Sequence, residues 1–198
     1  MRDVYTYKFE DNLYLNITNR CCNDCIFCVR NSGDFCGQSL WLKKEPASGE
    51  VIKAIKEFDP KTYNQIIFCG YGESTYRVDC VVEISKFIKS EFGKTVRLNT
   101  NGLGNLINGR NIIPQLVGTV DIISVSLNQH NAKEYNKVSQ SIYGEKAFAE
   151  IVDFTRKAKE AGFVTQMSVV ACIPKDDINK CGELCDSLGV ELRVRGQM

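Results

Sequence analysis

With 198 residues, 43% of them hydrophobic and 25% charged, the chain can bury a core of single-domain size. A formal net charge of +1, with lysines and arginines scattered, argues against a phosphate-backbone binder and against an acidic tail, so no strong nucleic-acid partner is expected. No stretch approaches the ~20 apolar residues that cross a bilayer, and Met1 to Phe9 mix charges with aromatics where a secretory leader would be apolar, so we expect a cytoplasmic protein without membrane association.

The first elements read as a hairpin, strands Val4–Phe9 and Leu13–Thr18 around the turn Glu10-Asp11-Asn12. A cysteine-bearing loop follows, reaching to about Gly37. Helical and strand patterns then alternate: helix Ser48–Phe58, strand Gln65–Gly70, helix Tyr76–Phe92, strand Val96–Asn101, helix Arg110–Val117 and strand Ile122–Asn128. Helices Ala132–Val138 and Glu145–Ala161, strand Val164–Cys172, helix Lys175–Leu188 and strand Val190–Arg195 complete the series. The charged run Lys86–Lys94 reads as a solvated helix face, and Trp41 and Leu42 as packing. No repeat, low-complexity tract or Pro-rich linker divides the chain, so residues 1–198 are expected to form one domain.

Alternation within the strands is informative. Leu13, Leu15 and Ile17 oppose Tyr14, Asn16 and Thr18; Val96 and Leu98 oppose Arg97, Asn99 and Asn101; Ile123, Val125 and Leu127 oppose Ser124, Ser126 and Asn128. The last strand sets Val190, Leu192 and Val194 against Glu191, Arg193 and Arg195. A sheet covered by helices on both faces reads apolar throughout, as only Ile66–Cys69 does. One apolar and one polar face per strand predicts an α/β fold of another kind: a partial (β/α)6 barrel of the TIM type, with an extra N-terminal hairpin strand. Helices would lie outside, and a polar lumen would have its site at the carboxyl ends of the strands. An open α/β sheet with polar edge strands is the alternative.

The loop after Leu13–Thr18 carries Cys21, Cys25 and Cys28 in the spacing C-x3-C-x2-C, with Phe27 before the last. Three thiolates hold three corners of a [4Fe–4S] cube and leave one iron open, whereas structural zinc and electron-transfer clusters normally take four protein ligands. Cys22 keeps a second pattern open, Cys22-x2-Cys25-x2-Cys28, and a zinc knuckle completed by Cys22 or Cys36 is a further alternative. No second C-x2-C follows at finger spacing, and the single histidine, His130, is remote. Ten cysteines exceed the needs of packing and do not suit a cytoplasmic disulfide framework. An oxygen-poor cytoplasm would suit free thiols and an exposed, oxygen-sensitive cluster.

Gly70-Tyr71-Gly72-Glu73 ends the strand Gln65–Gly70. Its glycines permit close backbone approach to a ligand, and its carboxylate can accept a charge-assisted hydrogen bond from an ammonium group.

These two motifs resemble those of the radical S-adenosylmethionine (radical SAM) enzymes. In detail the chain is similar to the TatD family-associated radical SAM proteins through Asn12-Leu-Tyr-Leu-Asn-Ile-Thr-Asn-Arg20, Phe68-Cys-Gly-Tyr-Gly-Glu73, Arg97-Leu-Asn-Thr-Asn-Gly102, Ser124-Val-Ser-Leu-Asn128 and Leu192-Arg-Val-Arg195. One departure is Ser74, where that group usually carries Pro after the Glu. The resemblance implies that Cys21, Cys25 and Cys28 ligate a [4Fe–4S] cluster and that Gly70, Tyr71, Gly72 and Glu73 receive the amino group of SAM. It implies ribose and carboxylate contacts from Asn99, Asn101, Ser126 and Asn128, and an adenine seat on the backbone around Ile173. The activity it implies is reductive cleavage of SAM to methionine and a 5′-deoxyadenosyl radical that takes hydrogen from a substrate. An electron donor such as flavodoxin or ferredoxin would supply the reaction.

His130 follows the strand Ile122–Asn128 and is a candidate substrate contact. Arg193 and Arg195 share lumen parity and can clamp a carboxylate or phosphate. Cys69, Cys80, Cys172, Cys181 and Cys185 are read as small buried hydrophobes, with a second cluster as the other option. Because the sequence ends at Met198, just past the last strand, a bulky macromolecular substrate or a dimer mate is expected to cover the lumen. A glycyl-radical-enzyme activase is one alternative within the same chemistry. A non-catalytic interaction module stabilised by iron–sulfur or zinc is the alternative outside it.

Overall fold

A computed structural model describes residues 3–31, 33, 35 and 37–196. Seven strands form one sheet: β1 Thr6–Phe9, β2 Asn12–Leu15, β3 Gln65–Phe68, β4 Thr95–Thr100, β5 Ile122–Ser126, β6 Val164–Val170 and β7 Glu191–Arg195. Each lies beside its neighbour in sequence; only β1–β2 is antiparallel, and β2 to β7 are parallel. The hairpin registers Phe9 with Asn12 and turns through Glu10, whose φ of 50° lies in the left-handed region.

Helices make every crossover: α1 Ser48–Lys56, α2 Val78–Phe92, α3 Gly104–Asn108, α4 Ile113–Leu116, α5 Ala132–Ser139, α6 Lys146–Glu160 and α7 Lys175–Leu188. Helix α2 shows why they dock. Val78, Val81, Ile84 and Ile88 recur at helical spacing and are buried, and Gly93 ends the helix in the left-handed conformation at φ 59°. These side chains meet Leu13, Leu15, Ile66, Phe68, Val96, Leu98, Ile123 and Val125 in one continuous core between sheet and helices. The run Lys86–Lys94 lies mainly on the outer face, although Lys89 pairs with Asp121 and Lys94 donates to the Lys61 and Tyr63 carbonyls at 2.8 Å.

The opposite face curls into a lumen. At ~4.8 Å per strand spacing, a flat sheet would hold β2 and β7 ~24 Å apart. Instead, Arg193 on β7 lies near enough to Tyr14 on β2 to favour its ionised form, against the burial that raises its pKa. The expected open, barrel-like α/β sheet is therefore found.

Three details differ from the sequence reading. Helix α3 was not anticipated, and the segment Arg110–Val117 contains only the four-residue α4, which has Pro114 in its first turn. Strand β2 ends at Leu15 and β6 at Val170, short of the expected Thr18 and Cys172; past Val170 the chain turns tightly, Cys172 N donating to Val170 O at 2.8 Å. On β7 the apolar parity fails: Val194 is 49% exposed, as the edge of an unclosed sheet leaves it without cover.

Candidate functional site

The cysteine loop leaves the end of β2 and is tied down on two sides. Toward α1, Thr18 Oγ1 donates to Glu45 Oε1 at 2.5 Å, and Arg20 donates through Nε to Oε1 at 2.7 Å and through Nη2 to Oε2 at 3.0 Å. Arg77 lies 3.5 Å from the same carboxylate and donates to the Ile17 and Pro46 carbonyls at 3.0 and 2.6 Å. Toward α5, Asp24 N donates to Ser139 O at 3.1 Å, Ile26 N to Val138 O at 3.0 Å and Ile142 N to Cys22 O at 2.9 Å. Asn23 Nδ2 donates to the hydroxyl of buried Tyr135 at 2.9 Å.

Cys21, Cys25 and Cys28 are half-buried on this loop, while Cys22 is turned into the core, where Asn101 Nδ2 donates to its sulfur at 3.1 Å. Burial raises Cys21 to about 11, with Glu73 and Cys28 adding to the effect. Burial raises Cys25 to about 12, and the charges of Cys21 and Cys28 add to it. The three sulfurs thus sense one another across a poorly solvated pocket, where positive iron would relieve the mutual repulsion of their thiolates. Among the described residues no three His, Cys, Asp or Glu side chains converge as ligands of a single ion would. Three half-buried thiols on one loop are the donor type a cubane takes, one thiolate to each of three irons. Cys36, the other suggested fourth ligand, lies outside the described residues.

The Gly70–Glu73 turn docks directly on the loop: Glu73 N donates to Arg20 O at 2.8 Å. The two glycines serve this contact. A Cβ on Gly72 would stand 2.3 Å from Thr18 O and 2.8 Å from Arg20 O, and one on Gly70 would stand 2.1 Å from Asn16 Oδ1. The close approach expected toward a ligand is thus, on the Cβ side, an approach to the chain itself. Glu73 is buried, and burial raises its pKa against the pull of its hydrogen bonds. Its Oε1 accepts from Thr75 N, Thr75 Oγ1 and Thr100 Oγ1 at 3.0, 2.8 and 2.9 Å, and its Oε2 accepts from Asn101 N at 2.6 Å. The carboxylate joins the ends of β3 and β4, leaving Oε2 the less occupied oxygen. Tyr71 is buried beside Tyr7 and Leu40, with its hydroxyl donating to Gly33 O at 2.6 Å and Trp41 edge-on to its ring; Trp41 itself is 48% exposed.

The polar strand-end residues have different commitments. Asn99 Oδ1 accepts from Arg97 Nε at 2.8 Å. Asn101 Oδ1 accepts from Leu103 N at 3.0 Å. Ser126 is half-buried at the end of β5. Asn128, left-handed at φ 61°, donates to Ser139 Oγ at 3.1 Å, yet its Oδ1 is buried without a hydrogen-bond partner among the described residues. An orphaned acceptor at this position suits a ligand hydroxyl such as a ribose would bring. Ile173 packs partly against the core on the loop after β6, whose Ala171 N donates to Arg195 O at 2.8 Å.

His130 is held in a local network. Its Nδ1 lies 2.8 Å from Gln129 Oε1 and 3.6 Å from Asp177 Oδ1, and its Nε2 lies 2.8 Å from Asn131 Nδ2. Arg195 is largely enclosed and Arg193 exposed, both on the lumen side of β7. Cys80, Cys181 and Cys185 are buried as small hydrophobes, but Cys172 is exposed and Cys69 faces Arg97 and Arg195. The supports at Glu45, Thr100, Tyr135 and Ser139 were not identified from sequence. Only Thr100 carried a signal, standing between two residues assigned to the site.

The model of the Radical SAM superfamily matches residues 15–188. The GTP 3′,8-cyclase of Lactiplantibacillus plantarum is 28% identical over 135 residues, covering 67% of this chain and 38% of that protein. Streptococcus suis SuiB superposes at a TM-score of 0.73 with its precursor peptide SuiA bound, at 12% identity over 98% of this chain and 40% of SuiB. SuiB bound to S-adenosylmethionine superposes at 0.71, also at 12% identity, over 96% of this chain and 41% of SuiB. The chain therefore spans less than half the length of these relatives. Three cysteines on one loop, a Gly-rich turn docked against it and, above all, a family match over most of the sequence lead to one assignment: the chain belongs to the radical SAM superfamily.

Proposed function

We propose that the chain is the catalytic core of a radical SAM enzyme in which Cys21, Cys25 and Cys28 hold a [4Fe–4S] cluster and the ends of β3 to β6 hold SAM. The observation that carries this reading is the docking of the Gly70–Glu73 turn on the cysteine loop through Glu73 N and Arg20 O. That contact sets the two motifs side by side. The bound cluster and SAM supply the electron transfer and sulfonium cleavage that give a 5′-deoxyadenosyl radical able to take hydrogen from a substrate.

The chain's own part is positioning and exclusion of water. Backbone carbonyls of Gly70 to Gly72, with the less occupied Oε2 of Glu73, receive the SAM ammonium group. Asn128 Oδ1 accepts a ribose hydroxyl, Ser126 and the strand-end amides of Asn99 and Asn101 line the same side, and the backbone around Ile173 seats adenine. Exclusion of water falls to the β-strand walls of the lumen and to the substrate that covers its open side. We place the chain among the TatD family-associated group on its quoted motifs. We assign it one domain, a cytoplasmic location and a flavodoxin- or ferredoxin-type donor. No helix among the described residues is long and apolar enough to cross a membrane.

Anaerobic reconstitution with iron and sulfide, followed by dithionite and SAM, tests the reading. The expected product is 5′-deoxyadenosine, lost in Cys25→Ala. A cluster-loaded protein that neither binds SAM nor releases this nucleoside would instead support a non-catalytic module.

A further inference from the structure

The lumen holds three cations, Arg97, Arg193 and Arg195, for which the described residues supply no carboxylate partner. Arg97, from the middle of β4, donates through Nε to Asn99 Oδ1 at 2.8 Å and through Nη2 to Ser124 Oγ at 3.2 Å, both uncharged. Gln166 Nε2 also donates to Ser124 Oγ, at 3.0 Å. The Nε of Arg195 is buried with no hydrogen-bond partner among the described residues. Arg193, in register with Ser168 of β6, is exposed at the open edge.

The groups facing these arginines are poor counter-ions. Burial raises the pKa of the Tyr14 hydroxyl and of the Cys69 thiol, which keeps both neutral near pH 7. Burial, then the charge of Arg193, lowers the pKa of Arg97. Burial likewise lowers that of Arg195, with Cys69 and Cys25 opposing and Arg193 reinforcing the effect. Arg195 therefore has the Cys25 and Cys69 sulfurs near it, whereas the strongest charge acting on Arg97 is that of Arg193. Like charges in a partly desolvated chamber are costly until an anion joins them, and the guanidinium fork matches the oxygens of phosphate or carboxylate.

We propose that the substrate enters this lumen through a multiply charged oxyanion, either a phosphoryl group or paired carboxylates. Arg97 and Arg193 grip it, and Arg195 closes the side toward the cysteine loop. The assignment rests on the lumen being the chamber of the radical reaction, and it narrows the substrate to anionic molecules.

The probes are inorganic pyrophosphate and, for the carboxylate source, succinate. Each is titrated calorimetrically into anaerobic, cluster-loaded protein with and without SAM. Pyrophosphate or succinate binds, more tightly at low salt, and the tighter of the two names the source. Arg97→Gln and Arg193→Gln each weaken this binding about tenfold or more. Lys146→Gln, the same charge change on the exposed face of α6, leaves it unaltered. Arg97→Lys, which keeps the charge and the fold but not the fork, falls between. Failure of the wild-type protein to bind either anion, or equal affinity in wild type and both Gln variants, overturns the proposal. A parallel loss of SAM affinity also overturns it, because the arginines would then serve the methionine carboxylate. Anion binding that depends on Arg97 in a protein that does not bind SAM would sustain the anion site while removing the radical SAM reading.

Discussion

The backbone N–H of Asn101 donates to Glu73 Oε2 at 2.6 Å, fastening the end of β4 to the turn after β3. The same asparagine donates its side-chain amide to the Cys22 sulfur at 3.1 Å. A single pair of residues thus connects the Gly-rich turn, the β4 terminus and the cysteine loop, and Glu73 has a structural duty besides any contact with SAM.

Glu73→Gln separates these duties. The amide replaces one acceptor with an N–H that must face either Asn101 N or the Thr75 and Thr100 donors. It should cost about 1–3 kcal/mol in anaerobic urea unfolding. SAM affinity, measured by titration, should fall as well. An unchanged unfolding midpoint would show that the buried hydrogen bonds carry little.

Gly72→Ala should reduce iron content after reconstitution, because its Cβ strikes the Thr18 and Arg20 carbonyls at the root of the cysteine loop. The expected stability cost is about 1–3 kcal/mol. Gly70→Ala meets the Asn16 side chain, which donates to Val4 O at 3.0 Å and Leu40 O at 2.7 Å, and so should lower stability with less effect on iron. Iron-to-protein ratio and thermal midpoint distinguish the two variants.

Cys22→Ala should retain the brown chromophore and near-native iron, since Cys22 is 1% exposed and points into the core. Cys21→Ala, Cys25→Ala and Cys28→Ala should each lose most of it. Visible absorbance and iron analysis read the result, and a colourless Cys22→Ala would restore the Cys22-x2-Cys25-x2-Cys28 pattern.

Glu45 gives a dependence on pH. Burial alone would raise its pKa, but hydrogen bonds from Arg20 and Thr18 and the charges of Arg20 and Arg77 carry it below 4.5. A lowered carboxylate pKa contributes stability above the unfolded value and loses it as pH falls through the folded one. With about a third of the side chain exposed, the contribution is small, under ~1 kcal/mol. Wild type should therefore exceed Glu45→Gln in urea midpoint at pH 7, and the difference should shrink below about pH 4.5.

The parts of the fold governed by periodicity were legible in the sequence. Leu13, Leu15, Val96, Leu98, Ile123 and Val125 alternate, and all are buried on one face because helices cover only that face. Parity stopped being a guide at β7, where Val194 has no strand beyond it, and helix α3 was obscured by Gly104 in its first turn. The three cysteines and the Gly-rich turn could be read from spacing. Their supports could not: Glu45, Tyr135 and Ser139 reach the loop from 25 to more than 100 residues away, and no local pattern encodes such contacts. Arg97 shared the polar face with Asn99 and Asn101, but that Arg193 and no carboxylate of the described residues stands near it emerges only from the curled sheet.

The tether between residues 22–26 and 138–142 bears on how the protein is made. Cys21, Cys25 and Cys28, the proposed ligands, leave the ribosome more than a hundred residues before the segment that braces them. A nascent chain halted before Val138 would hold these three sulfurs but not the shelf beneath them. Maturation of the metal centre is accordingly tied to late synthesis, and premature stops past Cys28 should yield fragments that capture iron poorly.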